Sequence, residues 1–123
     1  MNTFLLIGAI NAFLAVAFGA FGAHILEGKL PEKYMGTWQT GVTYQMFHAV
    51  GLLVIGVLSG NIPANQLLSW SGWLMLTGII LFSGSLYILS LTQIRILGAI
   101  TPFGGVSFLI AWVLLMIVAV KSF

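Results

Sequence analysis

The apolar positions fall into four long runs. The first extends from about Thr3 to Ala23 without a charge, and the second from about Gln39 to Leu58. The third extends from about Ser69 to Leu91 and the fourth from about Gly98 to Val120. A transmembrane helix needs about 20 mostly apolar residues, so each run is long enough to cross a bilayer. Polar punctuation separates them. Glu27-Gly28-Lys29-Leu30-Pro31-Glu32-Lys33 divides the first from the second. Ser59 to Gln66 divides the second from the third, and Thr92-Gln93-Ile94-Arg95 the third from the fourth. Clusters of Gly, Pro and Asn are the expected chemistry of turns. The pattern predicts an all-α integral membrane protein, with four transmembrane helices in an antiparallel bundle with short loops. Residues 1–123 then form a single domain.

Within the runs, small and polar residues recur at helical spacing. Gly8, Ala12, Ala15, Gly19 and Gly22 form one stripe on the first span, suited to close backbone packing. Asn11 lies beside it and is expected to hydrogen-bond to a neighbouring helix. On the second span Trp38, Gly41, Gln45, His48 and Gly51 share a face, with Tyr44 adjoining. Val42, Met46, Ala49, Leu53 and Val57 share the opposite face and read as lipid-facing. His48 falls roughly 13 Å into that span at 1.5 Å per residue, where ionisable groups face the bundle interior or a wet cavity. The third span carries Ser83-Gly84-Ser85, Tyr87 and Ser90. The fourth opens with Thr101-Pro102, which suits an N-cap followed by the first helical position, with residues 92–101 as a tight, partly buried connection. Gly104-Gly105 would admit another backbone or a ligand.

Composition agrees with a membrane chain. Hydrophobic residues make up 60% and charged residues 5% of the 123 residues, against about 25% charged in soluble domains. Mean hydropathy is +1.13 and the isoelectric point about 9.3. The basic pI comes from scattered residues and not from a patch, so nucleic acid is not an expected partner. The absence of cysteine excludes disulfides, thiolate metal sites and cysteine nucleophiles. The N-terminus lacks the basic region of a signal peptide, so the first run is expected to remain as a helix. Lys29, Lys33 and Arg95 lie in loops at one end and Lys121 at the other. The positive-inside rule then places loops 24–38 and 92–97 in the cytoplasm and both termini outside. Membrane lipids are the expected surroundings.

Candidate chemistry gathers at that cytoplasmic end. His24, Tyr44, Gln45, His48, Ser83, Tyr87, Arg95 and Thr101 are candidate ligand-binding residues. His48 reads as a proton relay or ligand contact, or more plainly as interhelical glue bonded to Tyr87, Gln45 or a serine. Arg95 adjoins a helix N-terminus, which favours anions, and could help to hold a lipid phosphate; the plainer account is an interfacial anchor. No embedded carboxylate orients a histidine toward a serine, so no catalytic residue, metal ligand or cofactor is assigned, and an enzyme is disfavoured. The resulting expectation is a protein that binds or moves a lipid headgroup or small anionic solute, acting as a homo-oligomer. The alternative is a structural or assembly partner of another membrane protein.

Four strings are distinctive together: Gly19-Ala20-Phe21-Gly22-Ala23-His24; Trp38-Gln39-Thr40-Gly41 with Tyr44, Gln45 and His48; Phe82-Ser83-Gly84-Ser85-Leu86-Tyr87; and Thr101-Pro102-Phe103-Gly104-Gly105. With them the chain resembles the YwdK/YgdD-type small membrane proteins, a family classed as a domain of unknown function. The resemblance implies four helices in the inner membrane of bacteria. It brings no activity, cofactor or catalytic residue.

Overall fold

A computed structural model describes residues 1–123. Four helices, each long and apolar enough to cross a membrane, make up the fold: α1 (Thr3–Leu26), α2 (Glu32–Ser59), α3 (Gln66–Thr92) and α4 (Arg95–Ser122). All four outrun the apolar runs that predict them, and α2 begins seven residues early, at Glu32. Hydropathy marks the part that can sit in hydrocarbon, whereas the backbone goes on hydrogen-bonding into the interface. Side chains of Asn2 and Asn65 cap α1 and α3 by accepting from the backbone N–H of Leu5 and Leu68. Helix α3 ends on Gln93, a non-glycine residue at φ 60, and α4 opens with the 3₁₀ turn Arg95–Ala99.

The connection over residues 92–101 is tight but mostly exposed: the helix runs through Thr92, and of Gln93 to Ile100 only Leu97 and Gly98 are half-buried. Pro102 does sit in the first turn of the regular α-helix, but Thr101 makes no capping bond. Its hydroxyl instead lies 2.6 Å from Ser85 Oγ on α3.

Consecutive helices run antiparallel in a zigzag: α1 lies on α2, α2 on α3, and α3 on α4. Glycines set the close approaches. At Gly8 a Cβ would stand 2.9 Å from the backbone N of Leu53, and at Gly56 2.7 Å from that of Leu5, so α1 and α2 touch backbone to backbone. The stripe on α1 is thus a packing surface, with Gly19 against Val42 and Gly22 against Trp38. One expectation about α2 is reversed here. Ala49 is fully buried, and Val42, Met46 and Leu53 are half-buried, because α1 covers the face that reads as lipid-facing; only Val57 of that set is exposed. Between α3 and α4 a Cβ at Gly104 would stand 2.4 Å from Phe82 N, and one at Gly78 2.3 Å from Phe108 Cδ1. Ser71 and Ser107 hydroxyls donate across the same seam to the carbonyls of Ala111 and Leu74, each at 2.7 Å. Phe4, Leu52, Ile55, Leu68, Met75, Ile79 and Phe108 fill the centre.

Two helices contain a π turn, at Ala17–Gly22 in α1 and Ile79–Ser83 in α3. Both lie in the half of the bundle that holds the polar residues. A π turn widens the helix locally and re-aims the side chains beyond it, and such turns recur at functional sites.

Candidate functional site

The buried face of α2 is the scaffold of the site. Trp38, Gly41, Gln45, His48 and Gly51 are all buried, as their spacing predicts. From this face two separate polar assemblies extend.

The first links three helices. Tyr87 Oη donates to Gln45 Oε1 at 2.6 Å, Gln45 Nε2 donates to Asn11 Oδ1 at 3.1 Å, and Asn11 Nδ2 donates to the Ile7 carbonyl at 2.9 Å. The direction is forced from the far end. A carbonyl only accepts, so Asn11 must present its NH₂ to Ile7 and its oxygen to Gln45; Gln45 must then present oxygen to Tyr87. Asn11 and Gln45 are 7% and 4% exposed, so these bonds satisfy groups that hydrocarbon cannot. Tyr87 is placed by its neighbours. Its ring packs on Gly41, where a Cβ would come within 2.8 Å, and against Trp38 at 4.7 Å between centroids. Trp38 is held in turn by a 2.9 Å bond from Nε1 to the Phe18 carbonyl inside the π turn of α1. Ser83 donates to the Gly41 carbonyl at 2.7 Å and fixes α3 against α2.

The second assembly joins α2 to α4. Trp112 Nε1 donates to His48 Nε2 at 3.0 Å, while His48 Nδ1 lies 2.8 Å from the Tyr44 carbonyl. An indole N–H can only donate and a carbonyl only accept, so one neutral tautomer, with its hydrogen on Nδ1, satisfies both contacts. The imidazole stacks on Phe108 with centroids 3.5 Å apart and planes 8° from parallel. His48 is thus interhelical glue, but its partner is Trp112 and not Tyr87, Gln45 or a serine. It floors a groove of about 660 Å³ between α2 and α4, walled by Tyr44, Phe47, Phe82, Phe108 and Trp112.

The eight candidate residues therefore do not form one pocket. Gln45 and Tyr87 meet directly, Ser83 braces them, and His48 faces the other groove. Tyr44 is 42% exposed and takes part through its backbone carbonyl and its ring, which packs on Phe82. Thr101 belongs to the Ser85 pair. His24 and Arg95 are exposed, and the sole partner of His24 is Glu27 at 3.9 Å. No group of three or more His, Cys, Asp or Glu side chains is placed to hold a metal. The hydroxyls of Ser71 and Ser107, and the indole of Trp112, are functional groups that sequence reasoning does not single out. Their signal is the spacing of Gly104, Ser107 and Ala111 on α4, which repeats the small-residue logic of α1.

A four-helix membrane bundle, locked by glycine contacts and by hydrogen-bonded amide, hydroxyl and indole groups, is the class of protein these features define. The profile of a family described as protein of unknown function (DUF423) matches residues 18–105. The UPF0382 membrane protein YwdK of Bacillus subtilis is 58% identical over 121 residues, covering 98% of each chain. The UPF0382 membrane proteins SERP0230 of Staphylococcus epidermidis and SAB0533 of Staphylococcus aureus are 58% and 54% identical over the same length. The chain belongs to this DUF423/UPF0382 family of small membrane proteins. No solved structure matches it.

Proposed function

We propose that the protein binds an anionic lipid headgroup or small anionic solute at its charged end, which faces the cytoplasm of a bacterial inner membrane. The carrying observation is the state of the cations there. Lys29, Lys33 and Arg95 are exposed, and none is ion-paired, since the single contact of that kind is His24–Glu27. Unpaired cations beside a bilayer are worth about 1 kcal/mol each toward anionic lipid. The Lys29 loop and the first turns of α2 and α4 supply the binding, and the buried amide and imidazole assemblies hold the helices that present them. Moving the anion, beyond binding it, would take a homo-oligomer, because one bundle of four helices is too small to enclose a pathway.

The test is native mass spectrometry of protein extracted in mild detergent from bacterial membranes. Retained phosphatidylglycerol or phosphate, lost when Lys29, Lys33 and Arg95 are changed together to Gln, supports the reading. Equal retention by the variant refutes it. A spectrum dominated by a second protein would favour the structural-partner role instead. A reporter fused to the C-terminus that is active only in the cytoplasm would reverse the orientation.

A further inference from the structure

A second groove, of about 480 Å³, lies between α1 and α3. Its walls are apolar, with Phe18 and Ile100 among them, but Asn11, Gln45, Ser85 and Tyr87 line it too. No Lys, Arg, His, Asp or Glu does. The hydrogen-bond arithmetic of the two amides is incomplete. Each NH₂ carries two hydrogens. Gln45 Nε2 gives one to Asn11, and Asn11 Nδ2 gives one to the Ile7 carbonyl; neither nitrogen has another partner. Two amide N–H groups, on side chains that are at least nine-tenths buried, are therefore left over where water is scarce. A donor without an acceptor is costly in hydrocarbon, and the groove is the space both side chains border.

We propose that the groove between α1 and α3 is a binding site for a neutral, lipid-soluble molecule that presents a carbonyl oxygen to the spare N–H groups of Asn11 and Gln45. Three features fix the chemical class. The unmet groups are donors, so the ligand offers an acceptor. The lining carries no ionisable side chain except the Tyr87 phenol, whose hydrogen is engaged by Gln45, so the ligand is uncharged. The remaining walls are aliphatic and aromatic, so the rest of the ligand is apolar. The volume falls within the range of small-molecule sites, roughly 300 to 1,000 Å³. Glycerolipid esters and isoprenoid quinones both carry such a carbonyl. The site is distinct from the charged end and stands or falls independently of the anion-binding reading.

Gly84 gives a clean test. It lines the groove, and a Cβ there would meet nothing within 4 Å, so Gly84→Leu starts its side chain in open space and directs bulk into the site. The protein is placed in nanodiscs of ether-linked phospholipid, which lack ester carbonyls. It is then offered a diacylglycerol, the matching dialkylglycerol ether, or a short-chain quinone, and bound mass is read by native mass spectrometry. The wild type should retain one diacylglycerol or one quinone, and whichever binds identifies the source of the carbonyl. The ether analogue should not be retained. Gly84→Leu should abolish retention, and Asn11→Leu should weaken it about threefold to tenfold. Unchanged helicity by circular dichroism certifies each variant, and Gly84→Leu decides alone if Asn11→Leu fails to fold. Retention of neither carbonyl probe, equal retention of the ether, or undiminished retention by Gly84→Leu overturns the assignment.

Discussion

Adding one methyl group at Gly104 should separate two helices, whereas adding it next door should not. At Gly104 the new Cβ would stand 2.4, 2.7 and 2.8 Å from Phe82 N, Cβ and Cα. Ordinary contacts lie near 3.5 to 4.0 Å, so α3 and α4 must part by about 1 Å. The obstacle is helix backbone and cannot turn aside like a side chain. Overpacking of this kind costs about 1 to 3 kcal/mol, and the upper half of that range applies here. The better helix propensity of alanine offsets up to about 1 kcal/mol. Gly104→Ala should therefore destabilise by about 1 to 2 kcal/mol. At Gly105 the nearest atom is Phe82 Cδ2 at 3.9 Å, so Gly105→Ala keeps the propensity gain and meets no clash. The two neighbouring substitutions should differ by about 2 to 3 kcal/mol. Reversible unfolding in mixed dodecylmaltoside and SDS micelles, followed by circular dichroism, measures the gap. Stabilities within about 0.5 kcal/mol of each other would refute backbone contact as the basis of the α3–α4 seam.

Gln45→Leu should cost about 1 to 3 kcal/mol in the same assay, because it strands Asn11 Oδ1 and Tyr87 Oη together; a loss no larger than that of Tyr87→Phe would show that the amide bridge carries little. Trp112→Phe should cost about 1 to 2 kcal/mol by leaving His48 Nε2 without its donor, and wild-type stability in that variant would remove the indole from the account. Gln93→Gly should stabilise by about 1 kcal/mol, since φ 60 suits glycine; a loss of stability would mean that the glutamine side chain is needed at that turn.

The face of α2 from Trp38 to Gly51 was legible because polar and small residues at helical spacing have few reasons to point at lipid. The opposite face was not. Ala49 and Leu53 meet α1 instead of lipid, yet the two surroundings are equally apolar, so hydropathy cannot separate them. The partner of His48 was hidden for a related reason. Trp112 reaches it only because the zigzag leaves α4 across a groove from α2, and helix order in cross-section is set by packing between distant segments. Arg95 and His24 share an end with the polar cluster, which charge counting reveals. Their exposure depends on where the helices stop. The π turns leave no mark in residue type, yet they hold Ser83, which bonds to α2, and the Phe18 carbonyl, which accepts from both Ala23 N–H and Trp38.

The fixed sense of the Tyr87–Gln45–Asn11 chain carries a consequence for the membrane as an insulator. A hydrogen-bonded file conducts protons only if every member can both pass a proton on and then turn over. This file ends on the Ile7 carbonyl, which cannot release a hydrogen, so it cannot reverse. The imidazole of His48 is closed in the same manner, because the indole facing its free nitrogen can give a hydrogen bond but never accept one. Amides, a phenol and an imidazole thus lie inside the bundle in hydrogen bonds of fixed sense, and neither assembly by itself forms a file that can pass a proton and then reset.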